Sequence, residues 1–509
     1  MWRRNMKFDR PATILFGILI IAFFLRIYRV DELTEFLGDQ GRESMVLYNA
    51  WHTKTIPLVG PPVSTGQHLG PIYYYLIAPS FVLAGFNPLG PIVFMVLLDV
   101  ATIMLLYQLI SRLFNKNVAT AISALYTVSP LIMQASRTIW NPTPIPFFTT
   151  VLLISLYKSI INKKFVWLSI SFASLGVLVQ LHYSTIILLS FTGISLAYTY
   201  AKSRKNRSDL IKHSIFGLLI FVVLLTPFLG YQSQNEWTDV RSLLSFASSQ
   251  SDTPLKTDVT DSLYVIQHLV NFLVPAVPPL IALIILSMLA IVSLIQKNKW
   301  SILALFVILV SIAFISRTVY SPPEHYTRFL IPFLFILTAS SLETLNHISL
   351  DKMRHMHIFV KKSYLSAIIA VIVITLIYLP KSDILSEGKH DLSRTEDMAE
   401  TMIQSAEQDP FSFTLINSRS FSDLHYRFFF LKKRVQPVSI ESEEFDTLYL
   451  VCEKEPCPTQ DEIVSRTEIQ VMCFDPLCNR EYPKVNLKEW QFESEIKHEW
   501  ATLYVLKRK

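Results

Sequence analysis

The chain has 509 residues, of which 51% are hydrophobic and only 17% are charged, and its mean hydropathy is +0.38. These values are typical of a polytopic membrane protein and argue against a soluble enzyme. The net charge of +6 comes from basic residues in short segments between apolar stretches, so it reflects membrane topology and does not indicate a nucleic-acid partner.

Eleven apolar segments are long enough to cross a bilayer, which takes roughly 20 residues of helix. The first follows basic residues and lacks a small-residue cleavage site after it, so we expect a signal anchor. In chain order the predicted spans are 12–30, 91–110, 118–135, 144–161, 165–181, 183–200, 214–230, 274–295, 300–316, 327–345 and 364–380. A twelfth apolar segment, 71–86, is short and contains Pro79. It suits a span, or an interfacial or re-entrant piece.

Loop charge decides how segment 71–86 is assigned. With that segment outside the bilayer and the N-terminus in the cytoplasm, the predicted cytoplasmic loops carry sixteen basic residues, and the opposite loops after the second span carry five. The positive-inside rule requires this bias, and a twelfth span would reverse it. The sequence therefore predicts eleven spans in a multi-pass protein of the cell membrane, with residues 381–509 on the extracytoplasmic side.

The composition changes after the last predicted span. Apolar runs shorten to strand length, as in FSFTLIN and DTLYLVC, and helix-like segments such as 395–407 lie between them. This pattern predicts a mostly α protein with two domains. A transmembrane domain covers 1–380 and includes a first outer loop at 31–90, and a small α/β domain covers 381–509.

All four cysteines lie in the predicted outer domain, as two C-x4-C pairs. They are Cys452, Cys457, Cys473 and Cys478. An even number confined to an exported domain favours disulfides, although C-x4-C is also within the range of zinc-site spacings. The sequence leaves the pairing open, within each C-x4-C or across them.

The predicted outer loops hold most of the unusual polar side chains. These are Asp31, Glu32, Glu35, Asp39, Glu43, His52, His68, Arg137, Asn141, His182, Arg317, Glu324, His325 and Arg328. A solvated loop is the favoured explanation for Asp31, Glu32 and Glu35. Arginines can also extend to lipid headgroups, and His182 can hydrogen-bond at a helix end.

A functional explanation gains weight because these groups share one side of the membrane, where ionisable groups at membrane depth are often functional. A carboxylate can take a proton from an acceptor, and a guanidinium can hold a departing phosphate through two hydrogen bonds.

Four motifs resemble those of the GT-C glycosyltransferases, which include the protein O-mannosyltransferases and the aminoarabinose transferase of lipid A. GDQGRES, some thirty residues before HLGPIYYYL, is similar to the family pattern DEARY followed by (E/H)-x-P-P-L-Y-Y. SRTIWNPTPIPFF, QLHYS and RFLIPF resemble the later motifs. The four follow the family order over about residues 10–345.

The resemblance implies a fold of GT-C type with juxtamembrane helices in the first outer loop. It also implies transfer of a hexosyl or pentosyl group, with inversion, from a polyprenyl-phosphate donor to a hydroxyl of a lipid, glycan or protein acceptor outside the membrane. Carried over by position, Asp39 and Glu43 are catalytic, and Arg137, His182 and Arg328 bind the donor phosphate. His68, Tyr73, Asn141 and His325 bind substrate.

A divalent metal is the open question about cofactors. Some relatives hold a metal near the first-loop motif, and Asp39, Glu43 and His68 are the candidate ligands here. The sequence departs from the family at this point, because it reads HLGP where many relatives read HPP or EKPP.

Two other classes of protein compete with a transferase. A transporter or lipid flippase would also be polytopic, but no paired halves with Gly- or Pro-interrupted helices are evident, and glycine is scarce at 13 residues. A non-catalytic scaffold would not need His and Arg at several outer positions.

Overall fold

The computed structural model describes residues 10–63, 66–242, 244–245, 259–318, 321–352, 383–442, 444–470 and 484–509. Contacts divide the chain into two units. The helical unit comprises Met1–Val30 and Ile56–Glu387, and the α/β unit comprises Asp31–Thr55 and Gly388–Lys509. Part of the predicted first outer loop therefore packs with the C-terminal segment. The predicted domain boundary at residue 380 stays a prediction.

Helices make up most of the described chain. In order they are α1 (Arg10–Ile27), α2 (Val30–Leu33), α3 (Gly38–Thr53), α4 (Ile72–Leu83), α5 (Leu89–Leu113), α6 (Lys116–Val128), α7 (Pro130–Ser136), α8 (Ile145–Ile160), α9 (Trp167–Leu181), α10 (Ile187–Lys202), α11 (Arg207–Gln234), α12 (Val259–Asn271), α13 (Pro279–Gln296), α14 (Lys299–Thr318), α15 (Ile331–Lys352), α16 (Asp391–Ala406), α17 (Leu424–Lys432) and α18 (Gln460–Ser465). The 3-10 helices Tyr183–Ile186 and Glu324–Leu330 lead directly into α10 and α15.

The first ten predicted spans each coincide with a helix or a helix pair. By length and composition, five helical segments of the described residues suit a membrane crossing, and a sixth is the bent pair α6–α7. The five are Leu89–Leu113, Tyr183–Lys202, Arg204–Gln234, Pro279–Gln296 and Lys299–Arg317. The mostly helical class with several apolar helices is thus confirmed. The eleventh predicted span, 364–380, lies outside the described residues, so the count of eleven stays a prediction.

Two prolines shape the predicted membrane segments. The span predicted at 118–135 is bent by 65° between α6 and α7, where Pro130 begins the second helix and Ser129 is extended. Proline lacks an N–H group and disfavours helical backbone in the residue before it, which explains the break. Segment 71–86 forms α4, which has 12 residues with Pro79 inside. Such a helix is roughly 18 Å long, which is short of a bilayer core of about 30 Å.

Buried charges are paired inside the helical unit. Arg26 on α1 donates from Nε to Asp99 Oδ2 on α5 at 2.5 Å, and the Tyr126 hydroxyl on α6 donates to Asp99 Oδ1 at 2.7 Å. Arg26 also donates to the backbone carbonyl of Thr127. A charge at membrane depth is tolerated when it is paired in this way. The network therefore joins three neighbouring helices.

The α/β unit contains a four-stranded sheet in the order β1-β2-β6-β5. The strands are β1 (Phe411–Ile416), β2 (Thr447–Cys452), β3 (Glu468–Gln470), β4 (Lys484–Asn486), β5 (Trp490–His498) and β6 (Ala501–Arg508), with β3 and β4 forming a separate pair. Strands β1 and β2 are parallel, with Phe411 opposite Thr447, and both are completely buried. A parallel pair needs a crossover connection, and α17 lies in it.

The predicted strands FSFTLIN and DTLYLVC contain β1 and β2, and α16 overlaps the helix predicted at 395–407 to within one residue of its end. A small C-terminal sheet region is thus confirmed. Its core includes Leu448, Leu450, Trp490 and Leu506.

One disulfide closes the turn that follows β2. Cys452 and Cys457 are bonded, with their Cα atoms 5.9 Å apart. The pairing that the sequence left open is therefore within the first C-x4-C, and a zinc site using all four thiolates is wrong because two of them are oxidised. Cys473 and Cys478 lie outside the described residues.

Candidate active site

Helix α3 carries the two predicted catalytic carboxylates in its first turns. Asp39 has a side chain that is 48% exposed, whereas Glu43 is completely buried. Arg42 lies between them, with Nη1 2.9 Å from Asp39 Oδ1 and Nη2 2.7 Å from Glu43 Oε1. Asp39 and Glu43, four residues apart on one helical face, therefore share a counter-ion that the sequence prediction missed. Asp39 is also favoured electrostatically because it lies in the first turn of the helix.

His68 lies in the helical unit, in a narrow loop that pairs with the segment before it. Gly60 N donates to Leu69 O at 2.8 Å, and Pro62 forms a bridge with His68. The ring Nδ1 is 3.4 Å from Asp239 Oδ2, which also accepts from Gln232 Nε2 at 2.6 Å. Asp239 was not foreseen as a partner. Nothing in the sequence near either residue indicates this pairing over 171 positions.

The described part of the chain contains no group of three His, Cys, Asp or Glu side chains arranged to hold a metal ion. Asp39 and Glu43 share Arg42, and His68 contacts Asp239. A guanidinium between two carboxylates opposes a divalent cation at the same place. The side chains on the described residues therefore do not fit the metal site left open by the sequence.

A second group of predicted site residues does come together in the helical unit. His182, His325 and Arg328 lie beside Trp140 and Tyr326, and we call these five residues the His–Arg cluster. The His182 ring centroid is 5.1 Å from that of His325 and 4.5 Å from that of Tyr326. The Arg328 guanidinium is 5.1 Å from the Trp140 ring centroid. Three separate predicted outer loops therefore meet here.

Arg328 is the charged centre of this cluster. Its side chain is only 6% exposed, and its bonds to Glu324 are long, at 3.3 Å from Nε and 3.4 Å from Nη2. Among the described residues, Nη1 has no hydrogen-bond partner although it is buried. A buried N–H group without a partner costs about 1–3 kcal/mol, and more when the group is charged. The position is therefore favourable for an anionic ligand.

The two histidines of the cluster are neutral at pH 7. Burial, together with the positive charge of Arg328, lowers the pKa of His182 to about 4. Burial also lowers the pKa of His325 well below its usual value, and His182, Arg328 and His268 add to this. His182 Nδ1 accepts from the Ser184 amide at 3.2 Å, which leaves Nε2 to carry the proton. The cluster thus offers N–H donors beside one fixed positive charge.

Acid should destabilise the protein through these histidines. Between pH 6.5 and about 4, the unfolded chain takes up a proton at His182 that the folded chain excludes, so stability falls as pH falls through this window. A shift of this size amounts to up to about 3 kcal/mol. We expect the His182→Gln variant to lose less thermal stability than the wild type between pH 7 and pH 5. The His52→Gln variant, which removes an exposed histidine, serves as the control. Identical pH dependence of all three proteins would contradict the assignment.

The remaining predicted ligands have structural contacts. Asn141 Nδ2 donates to the Leu181 carbonyl at 2.6 Å, which ties the loop after Trp140 to the end of α9. Tyr73 is completely buried on α4. Arg137 is 1% exposed, and its guanidinium donates to the carbonyls of Leu25 and Arg26 and to Asp383 Oδ1. Arg137 therefore holds the last turn of α1 by contacts separate from the His–Arg cluster.

Arg137→Lys should mainly reduce stability. A lysine keeps the charge but cannot make the three diverging bonds to Arg26, Leu25 and Asp383. We expect a loss of about 2–4 kcal/mol, measured as a lower unfolding temperature of the purified protein. The exposed Arg112→Lys change should have little effect. A lysine variant with wild-type stability but weakened donor binding would return Arg137 to the donor-phosphate role.

Comparisons with known proteins agree with the fold. A family model described as dolichyl-phosphate-mannose-protein mannosyltransferase matches residues 68–231, which is less than half of the chain. No curated protein sequence matches. ArnT from Cupriavidus metallidurans bound to undecaprenyl phosphate superposes with a TM-score of 0.59 at 12% identity, over 97% of both chains. Its apo form gives 0.55 at 11% identity, over 97% of both. The apo oligosaccharyltransferase from Archaeoglobus fulgidus gives 0.50 at 13% identity, over 88% of this chain and 70% of that one.

Proposed function

Because the chain has the fold of the GT-C membrane glycosyltransferases, as its motifs predicted, we propose that it transfers a sugar from a polyprenyl-phosphate donor to an acceptor hydroxyl. The observation that carries the proposal is Arg328, a buried guanidinium whose Nη1 lacks a partner among the described residues. The neutral His182 and His325 lie beside it. A phosphate ester is the anion that this arrangement suits, because it accepts several charge-assisted hydrogen bonds at once.

The donor headgroup fits the rest of the His–Arg cluster. The Nε2–H of His182 can donate to a phosphate oxygen without adding a second positive charge. Trp140 and Tyr326 are partly exposed aromatic side chains beside these groups, and a sugar can pack against such side chains. The structure of ArnT in complex with undecaprenyl phosphate supports the choice of a lipid phosphate.

The proposed reaction is a single displacement at the anomeric carbon. The acceptor oxygen forms the new bond as the bond from the anomeric carbon to the phosphate oxygen breaks, and its electron pair leaves with the polyprenyl phosphate. Asp39 takes the proton of the acceptor hydroxyl. Arg328 stabilises the negative charge on the leaving phosphate. One displacement inverts the configuration of the sugar.

We place this chemistry on the extracytoplasmic face of a multi-pass membrane protein with eleven spans. Two observations support that side. The loop-charge bias puts the odd-numbered connections outside, and the Cys452–Cys457 disulfide is typical of an oxidising compartment. The acceptor can be a lipid, a glycan or a protein.

The direct test uses purified protein in liposomes with a panel of undecaprenyl-phosphate hexoses and pentoses. Expected is release of undecaprenyl phosphate together with a glycosylated product when membrane lipids, glycans or proteins are supplied. A transporter or flippase would instead move the intact donor across the liposome membrane. Donor translocation without release of the phosphate, for every sugar in the panel, would overturn the proposal.

A further inference from the structure

Helix α3 touches α17 backbone to backbone within the α/β unit. A Cβ atom on Gly41 would lie 2.4 Å from both Cα and N of His425, and 2.5 Å from the carbonyl carbon of Leu424. No other residue fits at that distance. One turn earlier, Gly38 N donates to Ser420 Oγ at 2.9 Å. The first turn of α3 is therefore held by the segment that leads into α17.

Three alternating serines in the sequence SRSFSD connect this contact to the interior. We call Ser418, Ser420 and Ser422 the serine ladder. Ser420 Oγ accepts from the backbone N of Ser422 at 3.3 Å as well as from Gly38 N. Ser418 Oγ accepts from Ser420 N at 2.9 Å and donates to Glu453 Oε2 at 2.6 Å. A continuous run of hydrogen bonds thus links the start of α3 to Glu453.

Glu453 is a completely buried carboxylate at the other end of this run. Besides the Ser418 hydroxyl, it accepts from Arg419 N at 3.0 Å, from the Tyr426 hydroxyl at 2.8 Å and from His425 Nε2 at 3.2 Å. Burial alone would raise its pKa, but the hydrogen bond to His425 and the histidine charge, with the two hydroxyls, lower the pKa to about 2. The carboxylate is therefore ionised at neutral pH.

A buried ion of this kind is weak evidence for a role in stability, because apolar side chains of the same volume often give an equally stable fold. It does fix geometry, since each acceptor position of Glu453 is used by a donor from the segment 418–426. The turn that carries Glu453 is itself closed by the Cys452–Cys457 disulfide. The Glu453 end of the run is therefore fixed.

We propose that Glu453 and the serine ladder are positioning residues for the active site, which fix the first turn of α3 and so place the Asp39 carboxylate. Asp39 follows Gly38 directly, so any shift of that turn moves the proposed base. Misplacement by about 1 Å can lower a rate by about 10²-fold. The catalytic consequence rests on the proposed function. On this proposal the C-terminal segment is a necessary part of the catalytic apparatus.

The test compares Ser420→Ala, Glu453→Gln and Gly41→Ala with Ser393→Ala and Gly193→Ala in the full-length protein. Ser393 is exposed, and a Cβ on Gly193 would meet nothing within 4 Å. Two measurements are made on each: kcat and KM for the donor in the transfer assay, and hydrogen exchange of peptides from α3, β1 and β2. Exchange serves as a readout that does not depend on activity.

In Ser420→Ala, Glu453→Gln and Gly41→Ala, we expect α3 amides to exchange at least about 10-fold faster, while β1 and β2 keep wild-type protection. The value of kcat should fall about 10- to 100-fold, and KM for the donor should stay within about threefold. Both control variants should match the wild type in both measurements.

The remaining outcomes each decide something. Unchanged hydrogen exchange of α3 in Ser420→Ala and Glu453→Gln would show that Glu453 and the serine ladder do not fix the first turn of α3, and would overturn the proposal. Faster α3 exchange with normal kcat would overturn the positioning role. Loss of protection in β1 and β2 would show general destabilisation and equally reject a specific effect on α3. A wild-type protein without transferase activity would reject the proposed function. The exchange data would still decide whether Glu453 and the serine ladder fix the first turn of α3.

Discussion

The Asp39→Asn enzyme is expected to fold and to bind donor like the wild type, yet to transfer sugar about 10²–10⁴-fold more slowly. Asparagine preserves the shape of the side chain and its place in the first turn of α3, but it cannot take the proton of the acceptor hydroxyl. Because Asp39 is half exposed and forms an ion pair with Arg42 near the surface, removing its charge should change stability little. The measurement is kcat in the liposome transfer assay, with donor binding followed separately.

Glu43→Gln provides the matched comparison on the same helix. Glu43 is completely buried and bound to Arg42, so its loss should lower the unfolding temperature as well as the rate. The two variants are thus distinguished by the unfolding temperature, which should fall in Glu43→Gln but stay near the wild-type value in Asp39→Asn. A nearly normal Asp39→Asn enzyme beside a stable but inactive Glu43→Gln enzyme would move the base to Glu43.

Replacing Arg328 by glutamine should lower kcat/KM for the donor by about 10²–10³-fold. The change removes the only charged donor of the His–Arg cluster, and a buried charge-assisted contact is worth about 2–5 kcal/mol when one partner is removed. Arg328→Lys should recover part of the rate, because it restores the charge without the forked geometry. Affinity for undecaprenyl phosphate alone should fall in parallel with the rate.

Arg317→Gln is the control for general loss of positive charge, since Arg317 is an exposed arginine at the end of α14. It should retain normal donor kinetics. If Arg317→Gln and Arg328→Gln were equally impaired, attraction to the membrane surface would explain the result better than a phosphate site. Normal donor binding in Arg328→Gln would remove the cluster from the proposed mechanism.

Local sequence patterns predicted the helices and strands well because each depends on a continuous run of side chains. Apolar runs identified the helices at the first ten predicted spans, and alternating or wholly apolar stretches identified β1 and β2. The bend between α6 and α7 also had a local signal, because Pro130 lies inside the predicted span 118–135. These features need no knowledge of distant partners.

Partners far apart in sequence could not be predicted in the same way. Asp239 pairs with His68 over 171 positions, and Ser420 binds Gly38 over 382. Neither Glu453 nor the serine ladder belongs to a motif that indicated a role. The resemblance to a family named three members of the His–Arg cluster as candidates, and it also suggested a phosphate role for Arg137, whose guanidinium contacts α1 and Asp383.

The contact between Gly38 and Ser420 also sets an order of events during synthesis. Ribosomes add about 5–20 residues per second, so the 382 residues between these two positions take about 20–75 s to make. During that time α3 has already been synthesised, but the surface that receives it does not exist. A chain truncated before residue 388 would contain every family motif and still lack the partner of α3. The C-terminal segment must therefore be synthesised before the proposed base is held in place, and chains truncated before it should lack transferase activity.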